Sequence, residues 1–513
     1  MQMRRVERRS CDAARGNHGG RQGWPARSGE IIRRGSVGKR FLGGITAAVG
    51  GYFLGSSDTL SNNGISALAA RLSVANLARS GAIAGVIKLA SAGLSFLMFL
   101  VVAMVTDERQ FGLYSATYAG ASLVSFFASV GQQSTVLRFW PQYAGGGALG
   151  TANSFMVRAI LVTLLGLVVT SLGIVAVGLV PGLSVKTPEW LPLCLSTAVL
   201  SFALGWSEFA SGAFRAKSEL VSALLPRDVI WRALVIVAVV ILHVRHGGID
   251  AVTATTLTAG LLVLATLPQA IILIRDTLRI ERTPLTTEQK REFNQVTLGL
   301  WGATSLPPAL GQVSTLLVAA ILGPEAAGAV FVADRMTRVV LLALTGINQA
   351  LAPEISDAYY NGDRGHVQRI TSLTALGASV VALATLTIFV VFGTLVLGIF
   401  DPAYATPQTH AVLVIFGIGA TFATACGPIE LLSHLTGLQH ALLKVLVVVN
   451  AIGLVITALA TYWFGSIGAA TSIAVTLITW NVISVLMARR RIGIDSSVLG
   501  LLTIAGGAAR APV

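Results

Sequence analysis

Three ionisable residues interrupt the otherwise apolar stretch GAVFVADRMTRVVLLAL (328–344): Asp334, Arg335 and Arg338. Asp334 and Arg338 stand four apart with the acid first, so on a helix they share a face and can form an ion pair. Arg335 is turned about 100° away and has no such partner within its turn. A guanidinium offers five N–H donors in a fixed fork and no acceptor, so its complement is an oxyanion. At about 1.5 Å per residue the three charges sit roughly 12–18 Å inside a helix beginning near residue 326, close to mid-bilayer if that helix crosses a membrane. A charge there costs about 2.5–3.5 kcal/mol on insertion scales. An unpaired arginine at that depth must face a water-filled cavity, an acid on another helix or an anionic ligand; the alternative is an Asp–Arg network that only holds helices together.

Other residues deserve the same reading. Lys88 lies about 12 Å into the first long apolar run, where it either meets a ligand or coupling ion or snorkels to the interface. Glu208 and Glu430 stand 222 apart in GWSEFASG and CGPIELLS, near the ends of two runs. They suit a gate or a proton carrier, and equally a pair of helix-end carboxylates in contact with water. Pro307 and Pro308 remove backbone donors inside another run and should kink it, as a hinge or a fixed bend. Cys11, Cys194 and Cys426 are far apart and form no CxxC or Cys/His cluster, so no structural metal or disulfide framework is expected. There is no GxxxxGK[ST] loop for ATP, no HExxH and no GxGD acid pair. No cofactor and no enzymatic activity are expected.

The elements that must position these residues follow from composition. Of the 513 residues, 54% are hydrophobic and only 12% charged, against about 25% charged in ordinary soluble domains. Long apolar runs with few charges indicate an all-α polytopic membrane protein. From about residue 80 to residue 488 the pattern reads as about twelve transmembrane helices. The net charge of +14 could suggest nucleic acid, but the basic residues cluster in the first 40 positions and in short loops. One side of the membrane collects Arg138, Arg158, Arg215, Lys217, Arg227, Arg275, Arg282, Lys290, Arg364 and Arg489–Arg491, the other only Arg109, Lys186 and Arg245. Basic loops make the first side cytoplasmic and put both termini inside. Residues 1–75 form a basic, Gly-rich tail, with Phe41–Gly55 apolar but too short to span. The longest loop, between the sixth and seventh runs, reads as a solvated linker. Residues 493–513 read as a short tail.

The chain also repeats. FGLYSATYAG and AGAVFVADRM align at a spacing of 216, which pairs Gly112 with Gly328, Gln133 with Gln349 and Tyr143 with Tyr359. HGGIDAVTAT and FGSIGAATSI align at 218. An even number of runs in each half inserts both halves the same way. The expected result is two pseudo-symmetric six-helix lobes, 76–290 and 291–492, around a central cavity and related by an axis along the membrane normal. Two lobes around one cavity imply alternating access.

LGPEAAGAVFVADRMTRVVLLALTGINQALAPEISDAY (322–359) resembles the signature of the polysaccharide transporters, the oligosaccharide flippases of the multidrug/oligosaccharidyl-lipid/polysaccharide exporter superfamily. DERQFGLYSATYAGASLVSFFASVGQQSTVLRF (107–139) and FRAKSEL resemble its first-half segments. The resemblance implies a bacterial inner-membrane flippase. Its substrate would be an undecaprenyl-pyrophosphate-linked oligosaccharide for exopolysaccharide, capsule or O-antigen (lipopolysaccharide) synthesis, and its partners glycosyltransferases and a polymerase. In that setting Arg335, Arg338 and Lys88 are the candidate pyrophosphate ligands, and Asp334, Glu208 and Glu430 the candidate gating or coupling acids. A lipid II flippase, whose Ala-Asp-Arg-Leu run ADRM (333–336) echoes, and a drug/cation antiporter are the alternatives within the superfamily. A polysaccharide-synthesis membrane enzyme is the alternative outside it.

Overall fold

The computed structural model describes residues 85–180 and 189–502; the expected basic tail and Phe41–Gly55 lie outside the described residues. The described chain is helical: α1 Gly85–Val105, α2 Glu108–Ala128, α3 Gln132–Ala144, α4 Leu149–Gly178, α5 Trp190–Ala216, α6 Leu220–Leu225, α7 Trp231–His246, α8 Ala251–Arg279, α9 Thr287–Leu322, α10 Pro324–Tyr360, α11 Arg364–Gly398, α12 Pro407–Ala425, α13 Ile429–Leu435 and α14 Gln439–Ile492. Side-chain caps fix several starts. Asp107 and Asp250 accept from backbone N–H groups three residues on, and Thr286 with Gln289 forms a reciprocal capping box. Gly465, at φ 61° and ψ −146°, divides α14 into two arms.

Each of the expected runs falls on helix. Among the described residues, however, eight helices are long and apolar enough to cross a membrane, or nine if the two parts of α9, bent by 54° between Thr287–Leu306 and Gly311–Leu322, count as one span. Twelve crossings are therefore not established by length and apolarity alone. The exceptions are informative. The continuous segment α6–α7 and helix α10 are not among the eight, and they carry Arg227, Asp228, Arg232 and Asp334, Arg335, Arg338. In α4, α11 and α14 only 17%, 22% and 17% of the most apolar window is buried. Their aliphatic side chains point outward, as they must against lipid.

Helix α2 joins the two halves, packing on α5 and α8 on one side and on α9 and α10 on the other. It breaks before α3 at Val130 and Gly131, both at positive φ (49° and 67°). A break in the low-dielectric layer frees carbonyls that need donors. Helix α9 supplies them: the Trp301 indole N–H donates to the Phe127 carbonyl at 3.0 Å and the Ser305 hydroxyl to the Phe126 carbonyl at 2.6 Å. Farther along, Arg138 meets Glu292 at 3.1 Å, and Phe293 sits buried against Phe139 and Phe155 with ring centroids 5.3 and 5.4 Å away. The expected solvated linker is thus only partly one, because from Thr287 onward it is helix packed on the first half. The sequence pattern missed this because the stretch is too polar to register as apolar.

At the opposite end of α2 the halves meet without side chains. A Cβ on Gly112 would collide with the Pro324 carbonyl, and one on Gly328 would lie 3.2 Å from the Gly112 Cα and 2.9 Å from the Tyr404 hydroxyl. The repeat pairs these two glycines, and residues that touch their own symmetry mates must lie at the symmetry axis. Behind them Phe99, Phe111, Tyr114, Phe331 and Tyr404 form a buried aromatic plug. The C-terminal residues also depart from expectation. Ile494 and Ser496 are buried, the Ser496 hydroxyl donates to the Cys426 carbonyl at 2.8 Å, and the Asp495 N–H donates to Gln368 at 2.7 Å.

Candidate functional site

A cavity of about 170 Å3 opens in the first half where it borders the second, beside the plug residue Phe99. Helices α1, α2, α5, α7 and α8 line it, with the π-helical turn Pro226–Ile230, and α9 and α10 of the second half contribute Gln312 and Arg335. Three arginines, Arg227, Arg232 and Arg335, face one carboxylate, Glu208.

Arg335 takes a position that its sequence suggested only in part. Its guanidinium lies over two rings, 4.9 Å from the Phe99 centroid and 4.5 Å from that of Phe331. Among the described residues it belongs to no ion pair, and its Nε is buried without a hydrogen-bond partner. Cation–π contact holds the plane of the group and spends none of its N–H donors. A flat, oriented and unsatisfied donor fork at a cavity wall is built to receive oxyanions.

Asp334 and Arg338 lie elsewhere. The Arg338 Nε donates to Asp334 at 2.9 Å, and this pair lines a second cavity inside the second half, of about 310 Å3. Successive residues of α10 therefore address two different cavities, and Arg338 does not share a wall with Arg335.

Lys88 donates to Asp228 at 2.7 Å. Asp228 is only 4% exposed while the lysine side chain is half-exposed. Arg232 stands 3.8 Å from the same carboxylate and donates to the Ser91 hydroxyl at 3.1 Å. Arg227 pairs with Glu208. These contacts correct the placement of Arg227 in a cytoplasmic loop. Pro226 has no N–H for the helical ladder, the chain slips into the π turn, and Arg227 and Asp228 are carried into the cavity and the core behind it. Glu430, by contrast, is exposed on short α13 and forms no ion pair among the described residues, so its surroundings differ from those of Glu208. Pro307 and Pro308 stand at the bend of α9.

Asp228, Arg227 and Arg232 were the residues that sequence reasoning passed over. A signal was present, since RDVIWR carries the same acid-then-arginine spacing of four as DRMTR. A double-mutant cycle between Lys88→Gln and Asp228→Asn should give a coupling of about 1 kcal/mol in thermal unfolding, the half-exposed lysine keeping it at the lower end for a contact pair. Additive effects of the two substitutions would show that the pair does not hold α1 to the π turn Pro226–Ile230.

Several solved structures share the fold. A multidrug resistance MATE family transporter of the MOP superfamily, in an inward-facing conformation, superposes with a TM-score of 0.63 at 14% identity, over 83% of this chain and 100% of that one. An outward-facing structure of such a transporter gives 0.55 at 17% identity, over 81% and 95%. A MOP superfamily transporter from Pyrococcus furiosus, whose binding pocket is described as of reverse polarity, gives 0.56 at 16%, over 81% and 95%. No curated protein matches the sequence. Residues 77–359, more than half of the chain, match the family described as polysaccharide biosynthesis protein, and the chain belongs to that family.

Proposed function

We propose that the chain is a flippase that carries lipid-pyrophosphate-linked oligosaccharide units across the bacterial inner membrane for polysaccharide assembly, by alternating access of lobes 76–290 and 291–492. One observation carries the reading: Arg335 of the second half is oriented and left without an anionic partner in the wall of a basic cavity of the first half, in a polysaccharide biosynthesis protein. A pyrophosphate supplies the oxyanions that this cavity lacks. A drug/cation antiporter needs acids free to take a cation, whereas Glu208, Asp228 and Asp334 each already hold a basic residue. Lys88 is held by Asp228, so in this reading it positions α1, and Arg227 and Arg232 join Arg335 as phosphate ligands. Glu208 couples the cavity to conformational change by releasing Arg227 when the anion arrives. The bend at Pro307 and Pro308 is the place where α9 flexes. The basic loops and both termini face the cytoplasm, and the Gly112–Gly328 contact seals the outer side. Glycosyltransferases that build the unit and a polymerase that consumes it are the partners.

The test is a deletion strain complemented with the wild-type gene. Loss of surface polysaccharide and accumulation of lipid-linked saccharide in the inner leaflet are expected on deletion, both reversed by complementation. Unchanged polysaccharide, with restored cation efflux on complementation, would instead establish an antiporter.

A further inference from the structure

The two cavities occupy equivalent places in the repeat. At the spacing of 216, Phe99 and Tyr118 of the basic cavity correspond to Thr315 and Asp334 of the second. At 218, Leu262 corresponds to Trp480. A duplicated cavity has thus been furnished twice with different chemistry. The first is basic. The second has its only lining charges, Asp334 and Arg338, neutralised as a pair, and the rest of its wall mixes apolar residues such as Val330, Phe416 and Leu454 with hydroxyls, the Asn450 amide and the Trp480 indole.

Its polar groups are open to a ligand. Among the described residues the hydroxyls of Ser314 and Thr315 and the indole N–H of Trp480 have no protein hydrogen-bond partner, and Asn450 uses only its amide N–H, on the Leu446 carbonyl at 2.8 Å. A cation finds little here, because the one carboxylate is already paired with Arg338 and no group of three His, Cys, Asp or Glu residues gathers among the described residues. A second phosphate would meet the Asp334 charge. What suits the cavity is a neutral ligand that both donates and accepts hydrogen bonds and offers an apolar C–H face to an aromatic ring, which describes a pyranose. The volume is also the larger of the two, about 310 against 170 Å3.

We propose that the cavity between α9, α10, α12 and the two arms of α14 is a saccharide subsite, with Trp480 as stacking platform and Asn450, Thr315 and Asp334 as hydrogen-bonding groups. This rests on the reading of the chain as a lipid-linked saccharide flippase. Asp334 and Arg335, adjacent on α10, then let one helix sense the sugar and the pyrophosphate together.

The test uses the full-length protein in nanodiscs and two probes: undecaprenyl pyrophosphate alone, and the same lipid bearing N-acetylglucosamine. The wild type should bind the glycosylated probe more tightly. Trp480→Ala should weaken that probe about tenfold and leave the bare pyrophosphate lipid unchanged. Trp480→Phe, which keeps a stacking face, should retain most of the preference, and Asn450→Ala provides a second variant should Trp480→Ala misfold. Arg335→Ala should weaken both probes alike. Equal binding of both probes by the wild type, or equal loss of both in Trp480→Ala and Asn450→Ala, would overturn the subsite and leave the flippase standing. Binding of neither probe would overturn the flippase and the subsite with it. Tryptophan fluorescence that responds to sodium ions and not to the glycosylated probe would overturn the subsite in favour of a cation.

Discussion

Replacing Arg335 by alanine is expected to abolish surface polysaccharide while leaving the protein in the membrane at wild-type abundance. Arg335 forms no ion pair among the described residues and holds no helix by a salt bridge, so its loss leaves no buried carboxylate orphaned. Its contacts are the faces of Phe99 and Phe331, which pack against each other at 5.0 Å whether or not the cation is present. Stability should fall by about 1 kcal/mol or less, the scale of a cation–π contact at a wetted wall. Binding is another matter. A hydrogen bond to a charged group is worth about 1.5–3 kcal/mol, so losing the fork should weaken a pyrophosphate lipid about tenfold to a hundredfold. Arg335→Lys is the sharper variant. It keeps the charge but loses the planar face that stacks on two rings and the paired donors that match two phosphate oxygens. Lysine should recover less than half of the polysaccharide output. Full activity in the lysine variant would mean that the cavity needs only a positive potential, and full activity in the alanine variant would remove Arg335 from the site.

Much of this was legible in the sequence, for specific reasons. Arg335 stood out because a charge in an apolar run is costly at that depth, and its unequal pairing followed from helical spacing alone. The repeat was visible in the Gly112–Gly328 and Gly247–Gly465 alignments, and with it the two-lobed fold. Contacts that join distant parts of the chain were not. Nothing in the local text around Asp228 says that its partner is Lys88, 140 residues away. Pro226 reads as the end of a loop, and only the packed helix shows that the chain continues through it as a π turn. Glu208 and Glu430 read alike in the sequence, each near the end of a run, yet one is half-buried against Arg227 and the other is exposed on a seven-residue helix. The duplication preserved backbone positions and let the side chains around them diverge. For the same reason the two cavities lie at equivalent places and differ in charge.

The second large effect is expected at the axis itself. Gly112 and Gly328 bring α2 and α10 close enough that neither position accepts a methyl group, and the obstacle at Gly112 is backbone, the Pro324 carbonyl, which has no rotamer to yield. Gly112→Ala must therefore push the two halves apart at this end. Overpacking of this kind costs about 1–3 kcal/mol, and here the cost falls on one conformation only, the one in which the ends touch. The state with that end open makes no such contact and is spared. A differential of about 2.7 kcal/mol shifts the ratio of two conformations a hundredfold, so a small substitution can reverse the resting population without unfolding the chain. Polysaccharide output should fall sharply at normal abundance. The direction of the shift can be read with a single thiol at Ala327, fully buried one residue from Gly328, after Cys11, Cys194 and Cys426 are replaced by serine. In the Gly112 background the thiol should be shut off from an impermeant maleimide added outside, and Gly112→Ala should make it reactive. Gly328→Ala meets a softer obstacle, since the nearest atom is the hydroxyl of the Tyr404 side chain, and should give a weaker version of the same result. Reactivity that appears only from the cytoplasmic side would invert the orientation assigned to this seal. Reactivity unchanged in both variants would mean that the glycine contact packs the lobes without gating them.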